Sequence, residues 1–317
     1  ISLFSNVPVC NVISNTDAKS IYAVPQILES EGIVDPICEH LNLGVRNLRW
    51  DSWPKIAVSF LKSSGEISVV MVGKYVSLAD SYVSVNEALE HAAAKKGFKS
   101  RVDWIDAEKF KNSANSTSFL LKYDAMIIPG GFGVRGSEGK MIAADFAREN
   151  NIPYLGLCFG FQLAIVSFAR FACGLSGANS SELESNSPHP VIDLLPEQKR
   201  IKNMGATMRL GGIDVNIVED TLAHRLYDSS QIRERHRHRY EFNQKYTDIF
   251  RENGMIFSGS SDNGKRMEIL EIPSHPFFVA VQYHPEFLSR PGFPEPVFEG
   301  LVSAAIDRHN SKIQRAP

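Results

Sequence analysis

From Ile67 to Phe171 the chain repeats one pattern: a short, continuously apolar run followed by a longer stretch with helical spacing. "ISVVMVG", "SRVDWID", "YDAMIIPGG" and "IPYLGLC" read as strands, while "SYVSVNEALEHAAAKKG", "GKMIAADFAREN" and "FGFQLAIVSFARF" read as helices. Strands apolar on both faces and joined by crossovers of this length require a parallel sheet covered by helices on each side. The expected fold is therefore α/β, a mostly parallel open sheet with helices on both faces. Further strands follow at "TMRLGGIDVNIV", "HRHRYEF", "GMIFSGSS", "KRMEILEI" and "FFVAVQYHPEF", and a last helix at "PVFEGLVSAAIDRHN".

Residues 1–64 do not share this rhythm. They hold short apolar pieces and no complete core, and a polar, Gly-marked boundary falls near Ser63–Gly65. We expect 1–64 to be the tail of a preceding domain plus a linker, and 65–317 to be the main domain. The opening residue is Ile1, which fits a fragment or a processed form. A net charge of -2 gives no pull toward nucleic acid or an anionic membrane. No apolar run approaches the ~20 residues of a membrane span. Cytoplasmic localisation is expected, with Cys10, Cys38 and Cys173 as reduced thiols. No cysteine–histidine spacing suggests a metal site.

Cys158 differs from the other three. Gly156-Leu157-Cys158-Phe159-Gly160 has the form G-x-nucleophile-x-G at a strand-to-helix junction. The turn there is sharp, and flanking glycines let strand and helix approach closely. The sulfur would sit at a helix N-terminus, whose positive dipole end favours thiolate. The amide N–H of Phe159, left free by the helix start, can donate to a developing oxyanion. "VQYHPEF" supplies a general base, His284, with Glu286 two residues later to orient it; on an extended strand the two would share one side.

"PGGFGVRGSEGK" (129–140) matches G-x-G-x-x-G at Gly131–Gly136. A dinucleotide-binding oxidoreductase fails on context, because the following strand ends in Cys158 instead of an acidic ribose ligand. A P-loop fails on spacing and on Met141 where Ser or Thr is needed. The loop is better placed to offer the Gly131 N–H as a second oxyanion donor, where any side chain is expected to crowd the reacting carbon. In "RERHRHRYEF" (233–242), Arg235, Arg237 and Arg239 would share one strand face and His236 and His238 the other.

"PGGFGVRGSEGK", "YLGLCFGFQ" and "VQYHPEF" together resemble the class I glutamine amidotransferases. With "VGKYVSLADSYVSVNEAL", "NSSE" and "RERHRHRYEFN", they resemble the CTP synthase family in particular, and the resemblance covers residues 65–312. Residues 1–50 resemble the end of that family's synthetase domain. The resemblance implies a flavodoxin-like amidotransferase fold and hydrolysis of L-glutamine by a Cys158–His284–Glu286 triad. Gly131 and Phe159 would form the oxyanion hole, and Gly160, Phe161 and Gln162 would line the glutamine site. Glu182 would hold the substrate's amino group and Arg239 its carboxylate. Arg135, Gly136 and Glu138 would form a lid responding to GTP as an allosteric activator. No cofactor is expected in these residues: ATP, UTP and Mg²⁺ would belong to the synthetase domain of the same polypeptide, in a homotetramer. The family's frequent Leu and Met are replaced here by Phe159 and Phe161. Alternatives are another class I amidotransferase or a γ-glutamyl hydrolase sharing the elbow.

Overall fold

Successive residues of β1 (Gly65–Gly73) point to opposite faces of a sheet, and both faces are buried. Ile67, Val69 and Met71 join one hydrophobic cluster, Val70 and Val72 another. The same division recurs in β3 (Ala125–Ile128), β4 (Tyr154–Leu157) and β12 (Phe278–Val281). In the computed structural model, which describes residues 1–44, 50–74, 76, 78–110, 117–194 and 208–315, each face is covered by helices. Ser137–Glu149 and Phe159–Phe171 pack on one side; Val83–Lys95 and Pro296–Arg315 pack on the other.

With β2 (Phe98–Asp106) at the edge, five strands run parallel in the order β2-β1-β3-β4-β12. This is the 2-1-3-4-5 order of a flavodoxin-like doubly wound sheet. Beyond β12 the sheet turns antiparallel through β11 (Arg266–Glu271), β10 (Ile256–Ser261), β7 (Arg209–Ile217) and β8 (Gln231–His238). The expected parallel sheet is thus one half of a nine-stranded mixed sheet, and the later strands extend that sheet. A small second sheet joins β5 (Ala178–Ser180), β6 (His189–Asp193) and β9 (Glu241–Phe242).

Residues before Gly65 form short helices, and among the described ones only Ala57 and Phe60 are buried apolar side chains. Tyr22 fastens this segment to the domain. Its ring stacks on Phe60, and its hydroxyl donates to Glu87 at 2.5 Å and meets His91 at 2.8 Å.

Candidate active site

β4 and the helix Phe159–Phe171 meet at Cys158 with no intervening loop, and close contact explains why. A Cβ on Gly160 would lie 2.1 Å from the Ile128 carbonyl oxygen, and one on Gly156 would lie 2.9 Å from the Gly160 backbone. Glycine at both positions lets the helix sit against β3 and β4. Cys158 takes φ 50 and ψ −98, a conformation that costs a non-glycine residue about 1–3 kcal/mol. Its N–H is anchored to the Val281 carbonyl at 2.8 Å, which ties the elbow to the end of β12.

His284 arrives from that same strand end. Its N–H donates to the Arg235 carbonyl at 2.8 Å, fixing the loop after β12 against β8. Nδ1 lies 2.8 Å from Glu286 Oε1, and the ring lines the same cavity as the Cys158 sulfur, which stands 3.7 Å from the Arg237 carbonyl oxygen. The pair meets in a 3₁₀ turn, Pro285–Phe287, instead of along an extended strand. Proline at the first turn position bends the backbone so that i and i+2 converge. Burial by itself pulls His284 down, but the sulfur and the carboxylate push it up to about 10. The crowded glycine of the loop is Gly130: a Cβ there would stand 3.1 Å from His284 Cε1 and 3.8 Å from Cys158 Cβ. At Gly131, where crowding was expected, a Cβ would meet only ordinary contacts of 3.6 Å and beyond.

A cavity of about 540 Å³ opens over the sulfur, lined among others by Gly131, Phe159, Gln162, Glu182, Arg239 and His284. Five predicted binding residues are thus gathered around Cys158 from four separate segments. Glu182 accepts from the Gly133 N–H at 3.1 Å, which ties the "NSSE" segment to the glycine loop. Gln162 is buried, and its amide donates to the Tyr240 carbonyl at 3.1 Å and to Gln282 Oε1 at 3.2 Å. Arg239 reaches the cavity because β8 ends at His238 and the chain bends there. Arg237, exposed on β8, lines the same cavity, whereas Arg235 does not.

The other predicted residues lie elsewhere. Gly160 faces β3, and Phe161 is fully buried in the core behind the helix, so neither side chain lines the cavity. Helical geometry turns positions two and three beyond the nucleophile toward the sheet. Gly136, with φ 77, precedes the helix Ser137–Glu149. Glu138 pairs with Arg170 at 2.8 Å, and Arg135 lies 3.7 Å from Glu108. Phe132, Met208, Arg237, His238 and Tyr240 also line the cavity; sequence reasoning gave none of them this role. Gln282 was missed as well: it lies within 3.8 Å of the sulfur, and its place two residues before His284 was the available signal.

Behind Arg237 and Arg239, the alternation of β8 buries Glu234, His236 and His238. His236, His238 and Glu268 bring ligand-type atoms within 4.8 Å of one another. Glu268 is already met by Arg209 at 2.6 Å and His236 at 3.0 Å, which hold its carboxyl well below the usual range against the effect of burial. Arg209 already supplies positive charge at this carboxylate.

Residues 77–304 match the family described as Glutamine amidotransferase class-I. This chain belongs to that family. Among solved structures, it resembles the glutaminase domain of a Trypanosoma brucei CTPS with bound acivicin, at 38% identity and a TM-score of 0.72. That likeness covers 76% of this chain and 94% of that one. CTP synthases of Archaeoglobus fulgidus and Methanococcoides burtonii are 50% and 48% identical over 96% and 98% of this chain. The chain spans 57% and 58% of their respective lengths. The class I amidotransferase fold accounts for the parallel half of the sheet and the elbow at the end of β4. Among the described residues, no helix is long and apolar enough to cross a membrane.

Proposed function

We propose that this amidotransferase domain hydrolyses L-glutamine to glutamate and ammonia through Cys158, His284 and Glu286. The observation that carries the reading is the meeting of the elbow sulfur with a His284 ring held by Glu286 at 2.8 Å. Cys158 attacks the side-chain amide carbon, and the carbonyl oxygen becomes an oxyanion met by the N–H groups of Gly131 and Phe159. His284, raised to about 10 and so protonated at neutral pH, gives a proton to the leaving nitrogen, and ammonia departs. Water, deprotonated by the same ring, then cleaves the γ-glutamyl thioester to glutamate and restores the thiol. Glu182 takes the α-amino group and Arg239 the α-carboxylate, charges opposite to those of the substrate.

The relatives' name points to the use of that ammonia: ATP-dependent amination of UTP to CTP, with Mg²⁺, by a synthetase domain of the same polypeptide. Residues 1–64 are then the tail of that domain and a linker. GTP activation through Arg135, Gly136 and Glu138, a homotetramer and a cytoplasmic location complete the reading. Their placement outside the cavity suits a control element better than a substrate contact. Incubation with 6-diazo-5-oxo-norleucine, read by mass spectrometry, tests the core claim. An adduct on Cys158 that disappears in Cys158→Ser is expected; a folded protein without that adduct refutes the assignment.

A further inference from the structure

Lys140 is 1% exposed, and among the described residues no carboxylate pairs with it. A buried ammonium is costly unless answered by an anion or by hydrogen bonds. The acceptor recorded for Nζ is the Pro129 carbonyl, at 3.4 Å. Nζ lies 5.6 Å from the centroid of the Phe159 ring and 3.7 Å from where a Cβ of Gly131 would be. The lysine therefore sits beside Gly131 and the Phe159 ring, the two residues proposed to supply the oxyanion donors. On the outer side of the same loop, Lys74 donates to the Phe132 carbonyl at 2.9 Å. Two lysines thus hold the loop at residues 129 and 132, on either side of Gly131.

We propose that Lys140 is a positioning residue for glutamine hydrolysis. Its buried ammonium holds the loop 129–131 in register with the elbow and lends positive potential to the sulfur and the developing oxyanion. The role follows from what is absent and what is near. A structural lysine in a core pairs with a carboxylate; this one has at hand an anion that forms at Cys158 and another that forms during reaction. Potential of this kind favours the transition state over a neutral amide, and so acts on rate more than on binding.

Glu108, on the turn Ala107–Phe110, lies near Arg135, and Arg170, on the helix Phe159–Phe171, is paired with Glu138. Lys74 and Cys158 act on Lys140 itself. Burial pulls its ammonium down, Lys74 pulls it further, Cys158 opposes both, and the outcome is about 7. The ammonium is present below that pH and lost above it, which sets the sign of the test.

The inference rests on the glutaminase reading, and its test separates the two. Wild type and Lys140→Met are alkylated with iodoacetamide at pH 6 and at pH 9, and the Cys158 peptide is followed by mass spectrometry. At pH 6 the variant should react about three- to tenfold more slowly, having lost a nearby buried charge. At pH 9 the two rates should converge, since the wild-type lysine is then neutral. Equal rates at pH 6, or the same slowing at both pH values, overturn the proposal; the second outcome marks a purely structural lysine. Should Lys140→Met fail to fold, Lys140→Gln is read by the same comparison. Failure of wild-type Cys158 to take up the glutamine analogue sinks the glutaminase reading instead, whatever the lysine variants do.

Discussion

Replacing Gly160 with alanine tests whether the elbow depends on contact between helix and sheet. The added Cβ would lie 2.1 Å from the Ile128 carbonyl oxygen and 3.0 Å from its carbon. Ordinary contact begins at 3.4 Å, so strand and helix must part by about 1.3 Å, the difference between 3.4 and 2.1. The obstacle is backbone in a central parallel strand and has no flexible end to swing aside. Overpacking of this kind costs about 1–3 kcal/mol. Displacement also carries the Phe159 N–H away from the oxyanion, and a misplacement near 1 Å can cost about 100-fold in rate. Urea unfolding gives the first number and glutamate release the second. Gly44→Ala is the control, since a Cβ there meets nothing within 4 Å. A Gly160→Ala protein within about 0.5 kcal/mol of wild type, with turnover unchanged, would refute the close-approach argument.

Glu286→Gln should leave the fold intact and lower glutaminase kcat by at least about 10²-fold, because the imidazolium loses its orienting anion; an unchanged kcat would remove Glu286 from the triad. Glu268→Gln should destabilise the protein by on the order of 3 kcal/mol at pH 7, leaving Arg209 and His236 without their carboxylate. Because the folded carboxyl is depressed, that stability is present above the unfolded carboxylate range and lost as pH falls, so urea midpoints of variant and wild type should converge in acid. Glu295 behaves oppositely: burial raises it from 4.5 to about 7, so wild-type stability should fall as pH rises through that window. Glu295→Gln should flatten that slope in thermal melts at pH 5 and pH 8, and an undiminished slope would assign it to another group.

The alternation of apolar runs and helices, the elbow G-x-C-x-G and the H-x-E pair were legible because each is local. Side-chain period and glycine spacing act over a few residues, and neighbours in sequence remain neighbours in the fold. The mixed character of the sheet was not legible: short apolar runs look alike whether their partners run parallel or antiparallel, and only pairing with β12 and β11 sets direction. That Gly160 and Phe161 lie off the cavity lining was not legible, because proximity in sequence to Cys158 does not say which way a helix turns its face. Arg239 could be placed by motif, yet that β8 stops at His238, just before it, was not legible.

The covalent chain settled which residue carries the sulfur, which turn holds it, and that helices alternate with strands around it. It could not settle how strongly any ionisable group holds its proton. His284 at about 10, Lys140 at about 7 and the depressed Glu268 arise from burial and, Glu286 apart, from partners well separated in the chain. Solvation and Coulomb energy depend on distances through space, and those exist only once the sheet has brought the segments together.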